Sequence, residues 1–209
     1  MDDIQDKVKQ IKQSFRLMMD GATAQSMREK GLAYHLNWGA TLPRLREKAE
    51  EIKAAQPTSL YPLAIALWKE NVRECKILAT MLMPADEVQP EVVDIWVEQT
   101  DTVELAEQAA FNLYQYLPYA ADKAFQWISA EDDLTQICGY HVFSRQFMKH
   151  QELNERGINE FVDQALTALA SPSVHVQKAA YAAIRRFAAL SLMHQRLAES
   201  ALRRYGLML

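Results

Sequence analysis

Residues 171–191 read SPSVHVQKAAYAAIRRFAALS. Val176, Ala179, Ala180, Ala183, Ile184 and Phe187 recur at three- and four-residue intervals, which puts all six on one face of a helix. Ser171 is the expected cap and Pro172 the expected first-turn residue. With mostly alanine on that face, a neighbouring helix can come close. The same device opens TLPRLREKAEEI, where Thr41 is the expected cap and Pro43 falls in the first turn. Working outward, the 3.6-residue period predicts helices over 3–20, 23–31, 42–55, 59–70, 71–82, 88–99, 102–116, 118–128, 131–149, 153–170, 173–190 and 193–205. The chain has 6 Gly and 7 Pro, many Ala and Leu, and no strand-like clusters of Val, Ile and Thr. The fold class is therefore all-α.

Short helices joined by a few residues cannot each bury an apolar face alone, whereas stacked antiparallel pairs can. The pattern predicts a HEAT-like repeat α-solenoid, with a compact bundle as the alternative. At 209 residues, one domain spanning 1–209 is expected. A curved array would offer a concave face to a long ligand.

Charge is unevenly distributed along a chain whose formal net charge is -4. From Pro84 to Asp133 twelve acids face Lys123 alone, while from Ser171 onward six Lys or Arg face only Glu199. A polyanion would meet the ends and avoid the middle. Cys75 and Cys138 sit in apolar helical runs with no CxxC or Cys/His cluster, so they are expected as reduced packing residues. Neither a metal nor a cofactor is expected, since the five His form no zincin pattern and no phosphate-binding glycine motif occurs. Trp38, Trp68, Trp96 and Trp127 fall at apolar-periodic positions and are expected in the core. No run approaches a membrane span, and the charged N-terminal helix is unlike a signal peptide, so a cytoplasmic protein is expected.

Three stretches carry a resemblance to a known family. YHLNWGATLPRLREKAEEI supplies Tyr34, Gly39, Pro43, Leu45 and Arg46. ALWKENVRECKILATMLMPADEV supplies Leu67, Trp68, Arg73, Glu74, Leu78 and Ala79. VHVQKAAYAAIRRFA supplies Gln177, Lys178, Ala179 and Arg185. In that order they resemble the DNA alkylation repair proteins, HEAT-like glycosylases that remove N3- or N7-alkylated purines. The resemblance implies a Trp-Asp-x-x-Asp motif whose second carboxylate stabilises oxocarbenium charge on the sugar. That motif lines up with Val103, Glu104, Leu105, Ala106 and Glu107, followed by Asn112, Leu113 and Tyr114. Val103 replaces the Trp, and two glutamates replace the aspartates. The family's Arg falls at Ile137 and a second Trp at Ala182, while Val174 and His175 occupy positions where aromatic residues are expected.

Two readings follow. The favoured one is a diverged, non-excising scaffold that binds nucleic acid or a protein partner on its concave face. The other is an active alkylpurine glycosylase with Glu107 as catalytic carboxylate and Glu104 in support. In either, Lys178, Arg185 and Arg186 are the candidate DNA-binding residues, acting on duplex DNA through weak, salt-sensitive phosphate contacts. The bland reading of Glu104 and Glu107 is a pair of solvated charges. Neither the oligomeric state nor the true ligand follows from the sequence.

Overall fold

A computed structural model describes residues 2–55 and 59–209. Among these residues there are twelve α-helices and no strand: α1 (Asp2–Leu17), α2 (Gly21–Glu29), α3 (Leu42–Ala55), α4 (Tyr61–Trp68), α5 (Arg73–Leu82), α6 (Pro90–Glu98), α7 (Val103–Asn112), α8 (Ala120–Ile128), α9 (Asp133–Met148), α10 (Glu155–Leu169), α11 (Val174–Ala188) and α12 (Leu192–Arg203). Each of the twelve expected helices is present, so the apolar period is a faithful signal here.

Most ends shift by one to three residues, and two departures have local chemical reasons. The helix expected over 102–116 ends at Asn112, and Tyr114–Tyr116 form a separate 3-10 turn. There the Gln115 side chain donates to the Phe111 carbonyl, taking an acceptor that a continuing helix would need. Ser171 does not cap α11. Its hydroxyl accepts from Ser173 N at 3.1 Å and its carbonyl accepts from Gln177 Nε2 at 2.7 Å, so Ser171 and Pro172 shape the turn and the helix starts at Val174. Elsewhere polar caps act as such: Thr102 accepts from Leu105 N at 3.2 Å, Asp132 from Thr135 N at 2.8 Å, and Asn154 from Gly157 N at 2.8 Å.

The chain divides into two compact units, 1–116 and 117–209. In the first, α5 is the hub, flanked by α3, α4 and α7, with α1 against α4. Its packing face includes Cys75, Ile77, Leu78, Ala79 and Leu82, and α7 meets it with Leu105, Ala106, Ala109 and Ala110. Trp68 stacks on Trp96 with centroids 4.1 Å apart and planes at 4°, and its Nε1 donates to Gln99 at 2.8 Å. All four tryptophans are buried, as expected for core residues.

In the second unit α9 is central, with α8 and α11 against it and α10 and α12 against α11. A ring cluster joins them. Phe143 meets Phe125 and Phe161 edge-on at 4.8 and 5.2 Å, and Phe187 meets Phe147 and His194 edge-on at 5.6 and 4.7 Å. The six apolar positions of α11 are buried as the period requires. Both cysteines are buried and free, and burial pushes the Cys75 thiol up to about 12.

Gly139 sets how closely α8 and α9 approach. A Cβ there would lie 2.7 Å from Ile128 Cγ2 and 2.9 Å from both Ala124 O and Ile128 N. Two of those neighbours are backbone and cannot rotate away. Gly139→Ala should therefore lower stability by about 1–3 kcal/mol, despite alanine's better helix propensity, as measured by urea denaturation.

Candidate functional site

The two glutamates of α7 have different environments. Glu104, in the first turn, is turned inward. Its carboxylate receives two bonds from Arg73, Nε to Oε2 at 2.7 Å and NH2 to Oε1 at 2.6 Å. The Tyr34 hydroxyl donates to Oε2 at 2.9 Å. The Arg73 side chain is 0% exposed and that of Glu104 15%. Glu107 is exposed and makes no hydrogen bond or ion pair with any described residue. Gln108, one turn beyond Glu104 by spacing, is buried, and its Oε1 has no partner among the described residues.

This clamp is built from residues distant in sequence. Arg73 and Glu74 open α5, whose start is fixed by Arg73 N donating to Leu36 O at 2.9 Å. Arg73 NH1 donates to Ala40 O at 2.8 Å and lies 3.4 Å from Glu74 Oε1. Glu74 accepts from the backbone of Trp38 and Ala40, each at 3.2 Å. The turn needs Gly39 at φ 80, where a Cβ would lie 2.1 Å from Asp20 O. Burial opposes the charged form of Arg73, but hydrogen bonding and the charges of Glu104 and Glu74 outweigh it and raise its pKa. Tyr34 is pushed up by burial and then by the charge of Glu104, so it remains a donor. Tyr34, Gly39, Arg73 and Glu74 were visible as motif residues, but a linear pattern could not show that they converge on Glu104.

The basic candidates share one helix. Lys178, Ala182, Arg185 and Arg186 follow i, i+4, i+7 and i+8 spacing along α11 and are all exposed. Val174 and His175 continue that face. Ile137, where the family's Arg was expected, is 1% exposed in the core of the second unit. The two glutamates lie in the first unit and the three cations in the second.

The first unit also holds a cleft that no sequence motif marks. Arg46 and Lys53 of α3, Met81 of α5, Phe111 and Asn112 of α7 and Tyr116 line a cleft of about 350 Å³. The Arg46 guanidinium lies over the Phe111 ring, 5.5 Å from its centroid. Phe111 is one turn beyond Glu107 on the same face. Its signal was faint: an Arg in α3 and an aromatic in α7 are ordinary until packing brings them together. Among the described residues no group of His, Cys, Asp or Glu could hold a metal, and no helix is long and apolar enough to cross a membrane.

Helix pairs, an inward carboxylate clamp and an exposed cationic helix define a helical-repeat protein. The model of the DNA alkylation repair enzyme family matches residues 11–206, and the chain belongs to that family. A solved structure described as "a new family of proteins related to the HEAT-like repeat DNA glycosylases with affinity for branched DNA structures" superposes with a TM-score of 0.81 at 15% identity, covering 93% of this chain and 81% of its own. The fold is thus the HEAT-like repeat fold. Comparison with curated proteins finds no match.

Glu104→Gln should cost about 3 kcal/mol in urea unfolding, because it removes the carboxylate that holds Arg73 most closely and leaves the buried guanidinium with only Glu74, 3.4 Å away, as counter-charge. Glu107→Gln should stay within about 0.5 kcal/mol of wild type. Tyr34 supplies a pH signature. Its folded pKa is raised above the ordinary 10.0, so its contribution is full below pH 10 and declines as pH rises toward the folded value. Tyr34→Phe should flatten the loss of stability above pH 10.

Proposed function

We propose that this chain is a non-excising DNA-binding member of its family, holding phosphates on the exposed face of α11. The observation that carries the reading is the fate of the carboxylates: Glu104 is consumed by Arg73 and Tyr34, which leaves an exposed Glu107. Stabilising an oxocarbenium ion requires a carboxylate whose field is weakly screened. At 4 Å two unit charges interact by about 1 kcal/mol in bulk water and about 4 kcal/mol at an effective dielectric of 20. Val103 and Ala182 stand where the resemblance expects tryptophans, and Val103, one turn from Glu107 on the same helix, lacks the surface of an indole. Lys178, Arg185 and Arg186 remain open to solvent, and guanidinium groups suit phosphate oxygens. The similar solved protein's affinity for branched DNA supports a DNA ligand. A protein partner becomes the reading if DNA is not bound.

The second reading, alkylpurine excision by Glu107, is favoured by one fact: that carboxylate is accessible and unpaired. An assay for release of 7-methylguanine or 3-methyladenine from alkylated duplex DNA separates the two. No release is expected from wild type or from Glu107→Gln. Release by the wild type that disappears in the mutant would install the enzyme.

Binding itself should weaken steeply with salt. Replacing Lys178, Arg185 and Arg186 by Glu should abolish it, whereas replacing all three by Ala should reduce the slope of log K against log salt by about 3. An unchanged slope in fluorescence anisotropy would remove α11 from the interface.

A further inference from the structure

The cleft between α3 and α7 has no part in the reading above. It combines three kinds of group. Arg46 and Lys53 bring positive charge, and the rings of Phe111 and Tyr116 bring flat apolar surface. Asn112 brings an amide whose Nδ2 is already held by Thr80 Oγ1 at 3.0 Å, fixing the group with its oxygen left as an acceptor. Flat surface, cation and a fixed hydrogen-bonding edge are the complement of a nucleotide: base, phosphate and base edge. The volume of about 350 Å³ is at the lower end of those that hold small ligands, so it suits one such unit. Both Lys53 and Tyr116 are exposed, so the cleft opens to solvent where a strand could enter and leave.

We propose that this cleft takes one unpaired nucleotide of a DNA strand, with Arg46 and Lys53 on its phosphate and Phe111 and Tyr116 against its base. A paired base has both faces covered by its neighbours, so the cleft selects DNA with an unpaired branch. This deepens the DNA-binding reading and rests on it. Glu50 restrains the site. Its carboxylate pairs with Lys53 at 3.0 Å, and so competes with a phosphate for that cation.

The test is fluorescence anisotropy with a fully paired duplex and the same duplex carrying splayed single-stranded arms. Wild type should bind the splayed probe more tightly. Arg46→Ala and Tyr116→Ala should each weaken splayed-probe binding about tenfold and leave duplex binding nearly unchanged, tenfold being within the worth of a stacked base. Glu50→Gln should strengthen splayed-probe binding by freeing Lys53, an effect that a merely folding-related role for the cleft would not produce. AMP should not compete at micromolar concentration; if it does, a free nucleotide rather than a strand is the ligand and the proposal falls. If wild type binds both probes and the cleft variants lose neither, the cleft inference fails alone. Binding to neither probe would overturn it together with the DNA-binding reading.

Discussion

A guanidinium with no exposed surface dictates much of the first unit. Arg73 cannot be buried alone, because taking an ion out of water costs several kcal/mol unless its donors are met. Its donors go to two carboxylates and one backbone carbonyl. Satisfying them fixes the start of α5, the turn through Gly39 and Ala40, and the first turn of α7. Glu74 completes the arrangement by accepting the amides of Trp38 and Ala40 from the N-terminal end of its helix, where the helix dipole favours a negative charge. One charged cluster thereby sets the positions of three segments.

This constraint explains why the α7 glutamates cannot act as an interchangeable pair. They are three residues apart and begin on adjacent sides of the helix, yet Arg73 captures one carboxylate and leaves the other in water. The longer glutamate side chain gives Glu104 the reach for a two-pronged contact with Arg73 while also accepting from Tyr34. Chemistry at Glu107 would have to proceed without the support of its neighbour, whose oxygens already accept three hydrogen bonds.

Periodicity was enough to find the helices because most carry one apolar stripe, as α8, α10 and α11 do. It failed where a side chain competed with the backbone, as at Gln115, or where a cap-like residue instead formed a turn, as at Ser171. The basic face of α11 was legible because Lys178, Arg185 and Arg186 share one helix, so spacing alone places them together. The Arg73 clamp and the Arg46–Phe111 cleft were not, since their partners are brought together by packing across helices. Gln108 shows the limit most plainly: by spacing it belongs beside Glu104 and Glu107, yet it is buried.

The same pairing alters how the acidic middle of the chain should be counted. Twelve acids between Pro84 and Asp133 would repel a polyanion if all projected into water. Glu104 is neutralised by Arg73, and Asp101 is held by Lys76 at 3.0 Å, so two of those charges are tied to cations supplied by α5. The repulsive field is weaker than the sequence tally implies. In physiological salt it is also confined, since exposed charges more than about 8 Å apart are largely screened. The local groups at a contact therefore decide whether DNA can approach. On α11 those groups are Lys178, Arg185 and Arg186, and at the cleft they are Arg46 and Lys53 with Glu50 opposing. An overall charge of -4 is thus compatible with two cationic surfaces, each of which must be judged by its own residues.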